Sequence, residues 1–199
     1  PKRHLIHSEG ILDVLDHSSP TTGYGAKLAI DLTDIDLKRV PASLPAPRTA
    51  RPVGGVELFN TELTRETGLL ILYAEWEWHE TIDVERYLAE NNIEGIKYVA
   101  LFDRGAAGHM RASDLLWLAA ANTDPKRDIR LFGDVVIIDA RSKRPGYGNN
   151  PKRFPNVVTS STDTIHYVDE RWAEYGIGEL VESPSRRYRK LWLSEGAEW

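Results

Sequence analysis

The chain has 199 residues, 41% of them hydrophobic, with a formal charge of −5, enough apolar material to bury a core without metals or disulfides. Cysteine is absent, which excludes thiol catalysis, thiolate-ligated zinc and a disulfide framework and fits a reducing, cytoplasmic setting. The acidic balance argues against nucleic acid as a partner, and the longest apolar runs, 69–74 and 115–121, fall far short of the roughly 20 residues a membrane span needs.

The opening PKRHLIHSEG is a poor signal peptide, because its basic start is not followed by an uninterrupted apolar segment. It lacks an initiating methionine and reads as the approach to a strand, so we expect the chain to be a piece of a longer protein. In residues 12–31, LDVLDHSSPTTGYGAKLAID, the side chains of Asp16, His17, Ser18, Ser19, Tyr24 and Lys27 gather acid, base and hydroxyl groups around a turn marked by Pro20, Gly23 and Gly25. Two readings stand. The loop can contact an anionic ligand or position a carboxylate. Alternatively, Asp16 and Ser18 satisfy backbone N–H groups in an Asx-type turn, the glycines supply positive φ, and Lys27 is solvated. Asp16 and His17 do not form a charge relay, since neighbours on an extended chain point to opposite faces.

Residues 40–53, VPASLPAPRTARPV, hold four prolines and few large apolar groups, so neither a helix nor a central strand passes through them. An ordered alternation follows. Residues 69–74 read as a strand, and a helix capped by Thr81 carries Val84, Tyr87 and Leu88 at i, i+3 and i+4 and ends near Asn91 and Asn92. Residues 96–102 read as a buried strand. Ser113 is the expected cap of a helix over ASDLLWLAAAN, which is apolar nearly all round and therefore interior. Residues 129–132 and 135–139 read as two strands separated by Gly133. Strands alternating with helices imply parallel pairing with crossover helices. Further on, Ile165, Val168, Trp172 and Tyr175 make a helical stripe that stops at Gly176 and Gly178, and Ser183 with Pro184 starts a last helix.

The fold class expected is therefore α/β: a Rossmann-like, mostly parallel sheet with flanking helices and a C-terminal helical tail. Its parts are an incomplete first α/β unit (1–39), a proline-rich linker (40–54), a complete second unit (55–145) and an extension with two helices (146–199). An internal echo supports two units. Pro1-Lys2-Arg3 leads to KLAIDLT at 27–33, and Pro125-Lys126-Arg127 leads to VVIIDAR at 135–141. If real, the echo means that the first copy has lost its leading strand and helix.

Three other segments carry polar groups. The loop from Asp103 to His109 lies between a strand and a helix, where α/β folds place ligands, but it has only a GxxG spacing and no phosphate-loop lysine, so a plain turn is the simpler reading. Residues 75–80, EWEWHE, alternate side to side on an extended chain, which disperses their carboxylates and imidazole and favours an aromatic contact surface over a metal site. The basic clusters at 141–144 with Lys152 and Arg153, and at Arg186, Arg187, Arg189 and Lys190, read as solvated faces or helix ends.

The segment LDVLDHSSPTTGYGAKLAID resembles the C-terminal signature of UbiD-type carboxy-lyases, in which an apolar-acidic stretch and a Gly/Ser turn precede a lysine and a strand ending in Ile-Asp. KYVALFDRGAAGHMRASDLLWLAAANTDPKRDIRLF is similar to the family's strand, acidic loop, Trp-containing helix and Asp-Pro-x-Arg-Asp turn, here Asp124 to Asp128. Pro155-Asn156-Val157-Val158 and Ser183-Pro184-Ser185-Arg186-Arg187-Tyr188 resemble the tail of the longer, menaquinone-biosynthesis subgroup. The family's acidic loop is reduced here to Asp103. The resemblance implies a reversible decarboxylase of an aromatic or quinone-precursor acid, using prenylated FMN and a metal ion. It also implies that the cofactor and the Glu-Arg-Glu acid/base set belong to a preceding domain of the same polypeptide, so no catalytic or metal-binding residue is carried over and none of these groups is expected on this chain alone. The expected role is assembly and lid: a homo-oligomer interface, with the loop from Asp16 to Lys27 facing the active site. The alternatives are a stand-alone Rossmann-like module that binds an anionic small molecule through Arg104 and the Gly105 to Gly108 loop, and a nucleic-acid contact through the C-terminal basic helix.

Overall fold

The computed structural model describes residues 5–13, 16–30, 52–53, 55–58, 62, 64, 69–74, 83–93, 95–106, 110–143 and 154–192. The chain divides into two units, Pro1–Phe154 and Pro155–Trp199.

In the first unit, strands β1 (Leu5–Ile11) and β2 (Tyr24–Ile30) pair antiparallel, in register from Leu5 opposite Ile30 to Ile11 opposite Tyr24. They form a two-stranded sheet of their own. A second sheet holds β3 (Val56–Leu58), β4 (Leu70–Ala74), β5 (Tyr98–Asp103), β6 (Ile129–Phe132) and β7 (Val135–Asp139) in the order β3-β4-β5-β7-β6. The three central strands run parallel, and β3 and β6 pair antiparallel at the edges. This is the α/β architecture expected from the alternation of strands and helices. Both faces of β4 and β5 are buried, which is why their sequences are continuous apolar runs without a polar alternation.

Helix α1 (Val84–Glu90) connects β4 to β5 and buries Val84, Tyr87 and Leu88, the stripe expected for it. With Leu70, Leu72, Val99, Leu101 and Ile137 these residues form the core. The cap differs from expectation: Asp83 accepts the Arg86 N–H at 2.8 Å, and Thr81 lies outside the described residues. An aspartate adjacent to the first helical residue has the shorter reach to the free N–H groups. Helix α2 (Ala112–Asn122) also starts otherwise than expected, with Ser113 inside its first turn and the Asp114 carboxylate accepting the Arg111 N–H at 2.9 Å. Nor is α2 interior all round. Leu115 and Leu118 are buried, whereas Leu116 and Trp117 are 58% and 43% exposed, so only one face of the helix is covered. The single turn α3 (Pro125–Asp128) follows, capped by Asp124.

The echoed segments have a structural counterpart. Each leads into an antiparallel hairpin, β1 with β2 and β6 with β7. The β6–β7 turn is the two-residue Gly133-Asp134, with Gly133 at φ 56°. The corresponding loop between β1 and β2 is the long signature segment itself.

In the second unit, α4 (Thr162–Glu170) is capped by Ser161, and α5 (Trp172–Tyr175) ends at Gly176 in the left-handed region. Ile165, Val168 and Trp172 of the expected stripe line a cavity of about 290 Å³. Tyr175 does not join them, being 41% exposed. Pro184 stands just before α6 (Ser185–Tyr188) instead of at its first position. Among the described residues no helix is long and apolar enough to cross a membrane.

Candidate functional site

The β1–β2 loop folds as a set of local turns. Asp16 Oδ1 accepts the backbone N–H of Ser18 at 2.9 Å and its hydroxyl at 2.6 Å. Ser19 is fully buried; its Oγ accepts the Thr21 N–H and lies 2.7 Å from Thr21 O and 2.5 Å from Tyr24 O, so its single proton serves one of two carbonyls. Gly25 permits this approach, because a Cβ there would stand 2.7 Å from Leu12 Cδ1 and 2.8 Å from Ser19 Oγ. Gly23, at φ 73°, turns the chain into β2. Asp16, Ser18 and Ser19 are thus committed to holding the turn, while Tyr24 is 47% exposed and Lys27 is exposed.

The β1–β2 hairpin, loop and strands together, is fastened to the α/β body at three points. His17 Nε2 lies 3.4 Å from Asn122 Oδ1 at the end of α2, and its ring meets the edge of Phe154 at 4.9 Å. The Ala26 N–H donates to Asp124 Oδ2 at 3.1 Å, and Lys126 Nζ pairs with Glu9 at 2.8 Å. The signature loop and the Asp-Pro-Lys-Arg-Asp turn are therefore one construction, though 98 positions separate Ala26 from Asp124.

Behind this junction lies a buried charge network that composition and spacing did not disclose. Arg127 forks onto Asp128 at 2.7 Å through both Nε and Nη2, with side chains 6% and 0% exposed. Lys143, 1% exposed, donates to the carbonyls of Asp139 at 2.8 Å and Arg141 at 2.5 Å, and lies 3.7 Å from both Asp128 Oδ2 and Asp139 Oδ1. Burial pushes the Lys143 ammonium down against the opposing pull of Asp139 and Asp128. It pushes the Asp128 carboxyl up, against the hydrogen bonds of Arg127. Arg141 grips Asp139 at 2.7 and 2.9 Å. The cluster beginning at Arg141 is thus no solvated face at Arg141 and Lys143; Arg144, Lys152 and Arg153 lie outside the described residues. The Asp-Pro-x-Arg-Asp motif was the one signal in the sequence that pointed here.

At the carboxyl ends of β5 and β7, Asp103 Oδ2 accepts the Ser142 N–H at 2.8 Å, while its Oδ1 is buried with no hydrogen-bond partner among the described residues. Burial pushes the Asp103 carboxyl up. Arg104 next to it is engaged: it pairs with Glu57 and stacks over the Tyr73 ring at 4.9 Å. The Tyr73 hydroxyl, donating at 2.6 Å, and then Arg104 hold the Glu57 carboxyl below its usual range. Residues 107–109 of the GxxG loop and residues 75–80 lie outside the described residues. In the basic C-terminal segment, Arg186 pairs with Asp169 at 3.1 Å and Arg189 donates to the Thr162 hydroxyl at 2.8 Å. Among the described residues no group of three His, Asp or Glu side chains converges where a metal ion could sit. The network's carboxylates are taken up by Arg and Lys, so these residues do not fit a metal or flavin centre.

No family model matches the chain. An uncharacterized protein of Helicobacter pylori strain J99 is 25% identical over 182 residues, covering 84% of this chain and 27% of that protein. Its counterpart in strain 26695 is 24% identical over the same shares. An uncharacterized protein of Aeropyrum pernix is 28% identical over 83 residues, 33% of this chain and 17% of that protein. The chain spans about a quarter of the length of the Helicobacter relatives it matches.

Proposed function

We propose that this chain is the assembly and lid region of a UbiD-like, prenylated-FMN-dependent decarboxylase acting on an aromatic or quinone-precursor carboxylic acid. In its parent, a preceding domain holds the cofactor, the metal ion and the acid/base residues. The chain contributes a homo-oligomer interface and presents the loop from Asp16 to Lys27 towards that domain. The parent works in the cytoplasm.

One observation carries this reading. Two of the segments on which the resemblance rests, far apart in sequence, meet through the Ala26–Asp124 hydrogen bond and the His17–Asn122 contact. Motifs that lock together are better explained as one inherited unit than as two chance likenesses. The loop's chemistry agrees with positioning: its acid and hydroxyls hold the turn, and Tyr24 and Lys27 stay accessible. The modest share of the Helicobacter relatives that the chain covers also fits a region of a larger protein.

The test is to express the parent and the 199-residue chain separately, load each with prenylated FMN, and assay carbon dioxide release from a panel of aromatic acids. Activity in the parent and none in the chain is expected; decarboxylation by the chain alone overturns the proposal. Sedimentation tests the interface, and a strict monomer at high concentration would remove it.

A further inference from the structure

The five-stranded sheet has two edges, and they differ. At one, β3 is buried or half-buried along its length. At the other, Arg130, Leu131 and Phe132 of β6 are exposed, Leu131 by 50% and Phe132 by 46%. Among the described residues no strand pairs with the far side of β6. The register sorts the side chains. Arg130 and Phe132, opposite Ile137 and Val135, stand on the face that carries α1, where Arg130 pairs with Glu85 at 2.9 Å; Leu131, opposite Val136, stands on the other face. The backbone is sorted as well. The Val136 N–H donates to Lys97 O at 2.8 Å, on the β5 side. Pairs in an antiparallel ladder alternate between exchanging hydrogen bonds and not, so Leu131, opposite Val136, turns its own N–H and C=O to the open edge. Edge strands are commonly blunted by proline or lysine. Strand β6 has neither, and Glu85 takes up its one charge.

We infer that β6 docks on β6 of a second copy of this chain, antiparallel about a twofold axis at Leu131. An antiparallel edge is complementary to its own copy, because the twofold sets each outward N–H against an outward C=O. Centred on Leu131, the two copies of that residue exchange both hydrogen bonds and cover each other's side chains on one face. On the other face, Arg130 of each copy lies across from the Phe132 ring of the other, a cation against an aromatic ring, and the symmetry makes this contact twice. A register centred on Arg130 would instead set two guanidinium groups directly opposite, which is unfavourable. The inference gives a place to the homo-oligomer interface of the proposed function; it rests on that part of the reading and not on the decarboxylase chemistry.

The experiment uses the 199-residue chain, whose lack of cysteine makes any introduced thiol unambiguous. Sedimentation at high concentration is expected to show a dimer. Leu131→Asp, at a half-exposed position, should raise its dissociation constant by about tenfold or more without lowering the melting temperature. Under mild oxidation Leu131→Cys should give a disulfide-linked dimer, since directly opposed Cα atoms lie about 5.5 Å apart, within reach of a disulfide. Val158→Cys, at a 96% exposed position, controls for random collision and should link far more slowly. A strict monomer overturns both this edge and the homo-oligomer reading, leaving β6 to another domain or protein. A dimer that survives Leu131→Asp unchanged, or cross-linking of Leu131→Cys no faster than Val158→Cys, overturns the edge while the homo-oligomer reading stands.

Discussion

Lys143 sits where the ends of α2 and β7 and the single turn α3 bring their acceptors together, with carbonyl oxygens of Asp139 and Arg141 at hydrogen-bond distance and two carboxylates just beyond. Removing one partner of such a buried set leaves the others uncompensated. Lys143→Met should therefore lower the unfolding free energy by about 3 kcal/mol, read from urea melts, whereas an unchanged midpoint would mean the ammonium is dispensable. Asp103 behaves in the opposite sense. Burial raises its carboxyl in the folded state, so the fold holds a proton that the unfolded chain releases. Its contribution to stability is fully present below the unfolded value near about pH 4 and is lost as pH rises through the folded value. Asp103→Asn mimics the protonated form and can still accept from Ser142. It should match the wild type near about pH 4 and exceed it by about 1 kcal/mol at neutral pH. A pH-independent difference would contradict this. Gly25→Ala should cost about 1–3 kcal/mol, since the new methyl would meet the buried Ser19. Residues such as Lys143 are not legible from sequence alone, because their burial is made by segments that only the folded chain brings together.

At the scale of elements, the hairpin β1–β2 is an accessory docked on the α/β body, and Asp124 is its main fastening, serving at once as the cap of α3 and as the acceptor of the Ala26 N–H. Asp124→Ala should lower stability by about 2 kcal/mol. It should also raise hydrogen exchange at the β1–β2 amides while β4, β5 and β7 stay protected; uniform loss of protection would show that the hairpin is no separate unit. Strands β4 to β7 and α1 were readable in the sequence because each depends on a local pattern: continuous apolar runs for β4 and β5, an i, i+3, i+4 stripe for α1, a glycine turn between β6 and β7; the three-residue edge strand β3 is too short to show such a pattern and was not expected. The pairing of β1 with β2 was not. The loop between them is long, neither strand is an uninterrupted apolar run, and register between such strands is fixed by tertiary contacts. The exposed side of α2 escaped for a related reason: composition reports how apolar a helix is, and only packing reports which face is covered.

At the scale of the whole molecule, the described residues offer a well-fastened scaffold, carboxylates neutralised by Arg and Lys, and a loop whose polar groups mostly hold its own shape. Those features fit the proposed role of a part that positions, with the chemistry of the proposed decarboxylase assigned to a preceding domain. The loop's role is accessible through its two exposed groups. Tyr24→Phe and Lys27→Met, made in the parent, are expected to reduce kcat several-fold without lowering the melting temperature by more than a degree or two, because neither side chain is buried. The most direct test remains paired decarboxylation assays of the prenylated-FMN-loaded parent and of the 199-residue chain. Carbon dioxide release from an aromatic acid by the parent, with none from the chain, is the expected result. Turnover by the chain alone, or a parent that neither binds flavin nor releases carbon dioxide from any acid in the panel, would contradict it.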